Sequence, residues 1–410
     1  MPPLAETPPA LFGPAEAGAR HAAYAALAAT GPVHRITLPN GMPAWLVTAH
    51  DAVRAALSDP RLIKNPGPTP MEGLLPPAVN AAMNSAPLPT APPDHPRLRR
   101  LVSGAFPRRR VDALAPRIQQ IADGLLDDLT GTLTEHGEAD LIAAFAYPLP
   151  ITVIGELLGV PAHDQDGFRG WSTTVVGGAA AGREAWVAAA TALVGFVREL
   201  VAAKRARPAD DLMSALVAAR DGADRLTEDE LTSMVFLLLI AGHETTVNLI
   251  GNGMYTLLTH PDRHALLLAE PERLPATIEE LLRFDGPVQV ATFRWTSVPV
   301  QIGDTVIPAG EVVIPGLLAA NRDAAAAADP DVSDPTREAT AVGHLAFGHG
   351  VHHCLGAPLA RLEARIALGS LLARLPDLRL AVPVAELRWR PSVLMHGLAA
   401  LPVTVNRAHP

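Results

Sequence analysis

The 410 residues predict a mainly helical chain with a small β region, and three observations carry that prediction. Apolar residues recur at helical spacing through 111–160 and 183–221, as in Ile118, Ile121, Leu125 and Leu129, then Trp186, Leu193, Val197 and Val201. A long apolar stretch, 226–260, is bounded by a capping box at Thr227 and Glu230 and by the stop Thr259-His260-Pro261. About 32 of these residues at 1.5 Å each make a helix of about 48 Å. Strand-like runs occur at 33–47, 287–314 and 389–405.

Composition sets the outer bounds. Hydrophobic residues make up 49% and charged ones 18%, which describes a globular chain with ample interior for a large core. A net charge of −9 argues against general nucleic-acid binding. No run reaches about 18 apolar residues without a charge, and the start, MPPLAETPPALFGP, has neither a basic nor an apolar leader region. A soluble, cytoplasmic protein without a membrane partner is expected.

In order along the chain, residues 1–20 are rich in Pro and Ala and read as extended on the surface. Val33–Ile36 and Ala44–Val47 flank the hairpin turn Asn40-Gly41, and Asp51–Leu57 reads as a short helix. The proline-rich stretch 64–93 is long for a loop in a compact domain and reads as a lid or substrate wall. The next helix puts His95 and Arg99, four apart, on one face. A Gly/Ala/Thr-rich connector is expected at 170–182.

The middle of the long helix reads Ala241-Gly242-His243-Glu244-Thr245-Thr246. A glycine, an acid and two threonines there are locally unfavourable and point to function. Glu280 and Arg283, at i and i+3, share a helix face among Leu281, Leu282 and Phe284, which indicates burial. Val288–Phe293 has strand character, and Val300–Ile302, Thr305–Ile307 and Val312–Ile314 read as a β meander.

Cys354 is the only cysteine, so it is either inert in the core or used chemically. Gly348 and Gly350 before it permit a tight, left-handed backbone, and Gly356 permits close approach after it. Ala357-Pro358 then opens a helix whose free amides and dipole favour a thiolate. His349, His352 and His353 lie nearby, but no separated second ligand pair exists for a structural zinc.

The string Phe347-Gly348-x-Gly350-x-His352-x-Cys354-x-Gly356 resembles the haem-binding loop of the cytochrome P-450 family, in which a Cys thiolate holds haem iron. The resemblance runs from about residue 20 to 405, with four separated motifs in family order. It implies the family fold in a single domain, 1–410, with a long helix over haem b and the Cys loop beneath. Cys354 would be the iron ligand, Phe347 would pack under the porphyrin, and Gly348 and Gly356 would leave it room. His95, Arg99, Arg294 and His352 would bind propionates. Ala241 and Gly242 would lie against the haem, Gly242 leaving space beside the oxygen. Thr245 would donate a hydrogen bond to the oxygen being reduced, and Glu244 would relay protons from solvent. Glu280 and Arg283 would be structural, joined by Arg322 or Arg337. Ala324–Ala328 departs from the family pattern, lacking its usual aromatic.

The implied reaction is monooxygenation of a small, bulky, hydrophobic substrate, such as a macrolide, polyketide or steroid-like compound, by O₂. The expected pocket comprises Leu74, Leu75, Leu88, Leu237, Leu238, Val290, Ala291, Thr292, Val393 and Leu394. No flavin or nicotinamide fingerprint is present, so electrons would come from a ferredoxin and its reductase. Arg97, Arg100, Arg108–Arg110, Arg361 and Arg365 would dock that acidic partner on a monomeric enzyme. The alternatives are a peroxide-driven peroxygenase and a non-catalytic haem-binding protein.

Overall fold

The computed structural model describes residues 7–64, 75–85, 88, 90, 94–105, 107–177, 182–221, 226–337 and 343–405. The expected pocket residue Leu74, much of the proline-rich stretch and the end of the glycine-rich connector lie outside them. The chain divides into two compact units, one of 1–63, 115–149 and 245–410, the other of 64–114 and 150–244.

The first unit carries the described strands: β1 (Val33–Thr37), β2 (Pro43–Val47), β3 (Leu62–Ile63), β4 (Ala139–Asp140), β5 (Arg294–Thr296), β6 (Val300–Ile302), β7 (Thr305–Ile307), β8 (Val312–Pro315), β9 (Leu378–Leu380) and β10 (Pro402–Val405). Five form a sheet in the order β1-β2-β8-β5-β3, with β2 and β8 parallel and the other pairs antiparallel. Gly41 turns the expected hairpin at φ +82°. Along β2 and β8 alternate residues feed two cores. Ala44, Leu46 and Ile314 join Leu11, Tyr24 and Leu318, whereas Trp45, Val47 and Val313 join Val53, Ile307 and Leu317. Both faces are therefore covered, and β2 reads as a continuous apolar run.

Beside the sheet, the helix Ala357–Arg374 packs on the helices Ala115–His136 and Leu274–Asp285. The second half of the central helix, Glu228–Leu258, approaches closely at Gly253, where a Cβ would stand 3.3 Å from Leu281 and 3.5 Å from Leu368. The capping box forms as expected: the Thr227 amide donates to Glu230 Oε2 at 2.7 Å, and the Glu230 amide to Thr227 Oγ1 at 3.2 Å.

Four local expectations need correction. The N-terminal segment is not extended throughout, because Pro9–Phe12 form a helical turn that buries Leu11 and Phe12. Val288–Phe293 makes isolated bridges rather than a strand: the Gln289 amide bonds Leu394 O while the Ala291 amide bonds Pro315 O, so neighbouring residues serve different partners. Within the proline-rich stretch, Pro77–Asn84 form a helix with Pro at its start. The helix Gln165–Gly177 runs through half of the expected connector, with Trp171 against Gly167 and Phe196.

In the second unit, Arg183–Ala206 buries Leu193, Val197, Leu200 and Val201 and packs against Gln165–Gly177 and Leu212–Asp221. It and Glu228–Leu258 are long and apolar enough to cross a membrane by length and composition alone, yet two thirds of the latter's apolar window is buried inside the protein.

Glu280 and Arg283 are fully buried, as expected. Arg283 donates to both Glu280 carboxylate oxygens at 2.8 Å, and to the carbonyls of Asn321, Pro330 and Val332 at 3.0, 2.8 and 3.0 Å. The later arginine is Arg337, 3.3 Å from Glu280 Oε2. Arg322 instead stacks on Phe284 at 3.8 Å and donates to its carbonyl. Arg283→Ala strands a buried carboxylate and should cost about 3–5 kcal/mol, read from the urea midpoint. A loss below about 1 kcal/mol would show the pair dispensable for stability.

Candidate active site

The loop before Cys354 is shaped by glycines. Gly348 and Gly350 take φ +71° and +72°, a region open to glycine at little cost. Gly350 also lies against the helix His50–Ser58, where a Cβ would meet Ser58 Oγ at 2.9 Å and Leu57 O at 3.1 Å. The Cys354 amide donates to Phe347 O at 2.9 Å, closing the loop on itself. The loop is tied down at its start, where the Leu345 amide donates to Asn321 Oδ1 at 2.6 Å. Helix Ala357–Arg374 begins three residues beyond Cys354, with Pro358 in its first turn. The cysteine is exposed, and Gly356 keeps its flank open: a Cβ there would be 3.8 Å from Sγ.

Arg294, on β5, is the second marker in this unit. Its guanidinium is 3% exposed, its Nε has no hydrogen-bond partner among the described residues, and burial pushes its pKa down to about 10 against the pull of Asp59. A buried, incompletely satisfied cation suits an anionic ligand group. Together with the accessible sulfur, it fits the propionate-bearing haem that the resemblance implies. His352 is half-buried in the loop and Thr245 half-buried on the central helix.

The second unit holds the remaining expected residues. His95 is buried and Arg99 half-buried on the helix Asp94–Ala105. Burial first, then the charges of Arg99 and Lys64, lower the His95 pKa. Glu244 is buried, Leu237 and Leu238 are half-buried, and Ala241 is exposed. His243 has no outlet: its Nδ1 bonds Leu239 O at 2.8 Å, and its ring meets Phe168 edge-on.

Several expected roles change. A Cβ at Gly242 would lie 2.9 Å from Ile154 Cδ1, so this glycine also lets the Ile154 side chain approach the central helix. Val290 has no accessible surface and belongs to the core with Leu46 and Ile314, so it cannot line a cavity. Leu75 is nearly buried, Leu88, Ala291, Thr292 and Val393 are half-buried, and Leu394 is exposed. The backbone of 392–396 is held from outside: Gln289 Nε2 bonds the carbonyls of Ser392 and Val393, and Asn252 Nδ2 donates to His396 O at 2.9 Å. Of the docking arginines, Arg97 is taken by Glu230, Arg110 by Asp210 and Arg361 by Glu279. Arg100, Arg109 and Arg365 remain exposed.

One group was not anticipated. His21 and His396 both place Nε2 on Asp285 Oδ1, at 2.7 and 2.8 Å, a spacing a metal ion would also suit. Arg20 Nη1, which can only donate, lies 3.0 Å from His396 Nδ1. Nδ1 of His396 therefore accepts and its Nε2–H donates to Asp285, so His396 offers no lone pair to a metal. Burial would raise the Asp285 pKa, but the two histidines outweigh it and hold it well below the usual range. No separate sequence motif marks this cluster, because its members lie far apart in the chain.

A protein-family model described as Cytochrome P450 matches residues 181–376. The chain is 51% identical over 399 residues to Cytochrome P450 107B1 of Saccharopolyspora erythraea, covering 96% of each chain. It is 48% identical over 391 residues to the Vitamin D(3) 25-hydroxylase of Pseudonocardia autotrophica, covering 94% of each. The tirandamycin C-bound P450 monooxygenase TamI superposes with a TM-score of 0.88 at 43% identity, over 98% of this chain and 100% of that one.

Burial lowers the pKa of His21, His34, His95, His243, His264 and His396, the last from 6.5 to about 4. The unfolded chain then binds more protons than the folded one below pH 6.5. Their contribution is complete above that pH and is lost as pH falls toward 4. The melting temperature should be level near pH 7–8 and decline through this window, and His396→Gln should flatten the decline. A midpoint that rises on acidification would contradict the assignment.

Proposed function

The chain belongs to the cytochrome P450 family, and from that membership we propose hydroxylation or epoxidation of a macrolide, polyketide or steroid-like substrate. The coarser statement is established: the protein is a haem b monooxygenase acting with O₂ on a bulky, hydrophobic small molecule. Haem b, when bound, supplies the redox iron at which O₂ is reduced and one oxygen atom is inserted into a C–H or C=C bond.

The observation that carries the residue assignment is the exposed Cys354 in a glycine-bent loop, in the same unit as Arg294, whose buried Nε has no partner among the described residues. Cys354 holds the iron as a thiolate favoured by the helix that follows. Arg294, His352, His95 and Arg99 take the propionates, and Phe347, Gly348 and Gly356 flank the porphyrin. Reduction of O₂ with release of water consumes two protons. Thr245 positions a proton by hydrogen bonding, and buried Glu244, one residue before it, passes protons inward. This pair favours O₂ over peroxide as the working oxidant, which separates the reading from a peroxygenase. Leu237, Leu238, Ala241, Ala291, Thr292 and Val393 form the substrate wall in this reading. Vitamin D(3) in the name of one relative and tirandamycin C bound to another are in keeping with a large, mostly apolar guest.

Electrons come from a ferredoxin and its reductase, docking on the exposed Arg100, Arg109 and Arg365. The protein works as one catalytic domain, residues 1–410, monomeric in the cytoplasm. Two thirds of the apolar window of Glu228–Leu258 is buried within the protein, which supports a soluble state.

The reduced protein under CO should absorb at roughly 450 nm, the mark of a thiolate ligand, and Cys354→Ser should abolish that band. A band near 420 nm in the native protein, as for a ligand other than thiolate, would remove Cys354 from the iron. Thr245→Ala should release several-fold more peroxide per electron consumed, and unchanged coupling would exclude Thr245 from proton delivery. Arg109→Glu with Arg365→Glu should slow ferredoxin-driven turnover while sparing peroxide-driven turnover, and equal loss in both would exclude this docking surface.

A further inference from the structure

Glu279 precedes the buried Glu280 and points its charge elsewhere. Its carboxylate takes a two-pronged contact from Arg361, Nε to Oε1 and Nη2 to Oε2, each 2.7 Å. His344 Nε2 lies 3.0 Å from Oε2. Because His344 Nδ1 accepts the Ala346 amide at 3.2 Å, Nε2 carries the hydrogen and donates to Glu279. The Arg361 guanidinium lies 4.4 Å over the ring of Phe347, the residue whose carbonyl accepts the Cys354 amide. His344 and His353 also flank that ring, at 5.9 and 6.4 Å between centroids. Two charges of opposite sign thus sit against the cysteine loop, joined to each other and stacked on its aromatic anchor. Burial would raise the Glu279 pKa, but Arg361 and His344 hold it at about 2, so the pair is ionised throughout the working range. Arg361 is kept protonated first by Glu279, against the opposing effect of burial, with Cys354 adding to it.

We propose that Glu279 is a positioning residue for the thiolate: acting through Arg361, it sets the net positive charge felt at Cys354 and so the reduction potential of the bound haem. This rests on Cys354 being the iron ligand. The physics is one of sign. Reduction adds an electron to the haem–thiolate centre, so a nearby uncompensated cation favours it and an uncompensated anion opposes it. In the native pair the two nearly cancel. Arg361 is two-fifths exposed, so salt screens the size of any imbalance but leaves its direction.

The test is potentiometric titration of haem-loaded native protein, Glu279→Gln, Arg361→Gln and the double variant, each with its reduced-CO spectrum. Glu279→Gln should raise the potential, Arg361→Gln should lower it, and the double variant should return close to the native value. Shifts of the same sign, or no shift, in the two single variants would overturn the proposal, because a bracket that only holds shape fails alike from either end. Should a single variant lose its band near 450 nm, Glu279→Asp and Arg361→Lys, which keep the charges, decide the matter. Near-native potentials in both support charge as the agent, and displacements of like sign overturn it. A native protein lacking the band would remove the ligand assignment itself, whereas a normal native band with like-signed shifts removes this inference alone.

Discussion

The cysteine-bearing unit depends on one buried ion pair whose every hydrogen has a destination. Arg283 has five N–H bonds, and the structure supplies five acceptors: two oxygens of Glu280 and the carbonyls of Asn321, Pro330 and Val332. A buried pair of this kind adds little net stability over an apolar substitute, but it strongly penalises any arrangement that leaves one member alone. Its value lies in placement. The Asn321 main chain is held by Arg283, and its side chain holds the Leu345 amide that opens the cysteine loop. Asp334, through its amide, and Arg337 bring the segment beyond Asn321 to the same carboxylate. Thus a contact three residues long in sequence fixes segments some forty to seventy residues away.

Glycine does two different jobs in this chain. At Gly348 the backbone itself needs the left-handed conformation, with nothing near the absent side chain. Gly242 has an ordinary helical backbone, and what a side chain there would meet is Ile154. Gly350 combines both constraints, a positive φ and contact with Leu57 and Ser58. These distinctions matter because a sequence shows the same letter in each case, and a family resemblance attaches one role to it.

Local physics was readable in the sequence. The capping box at Thr227 and Glu230, the hairpin at Asn40-Gly41, the short strands β6 to β8 and the start of the helix at Ala357-Pro358 follow from neighbours a few residues apart. The buried Glu280–Arg283 pair followed from helix spacing and its apolar flank. Contacts between remote segments were not readable. The docking role that the sequence suggests for Arg361 gives no hint of its partner Glu279, which lies 82 positions earlier. The adjacent acids Glu279-Glu280 carried a faint signal, since two neighbours on a helix cannot share a face. The choice between Arg322 and Arg337, the burial of Leu11 and Phe12, and the inward turn of Val290 all rest on tertiary packing that no local pattern encodes.

The clamp on 392–396 has a consequence for how this segment can vary. Gln289 and Asn252 grip this segment by its carbonyls, which every residue type presents alike, whereas Val393 is half-buried against the apolar core and Leu394 is exposed. Main-chain anchoring separates the shape of the segment from its chemical character. Drift or laboratory diversification at the exposed position 394 can exchange one side-chain outline for another without renegotiating the backbone. Gly397 is the boundary of that freedom, since a Cβ there would fall 2.1 Å from Asn248 Oδ1. The protein thus carries a short, mechanically insulated stretch in which selection can act on side chains one at a time.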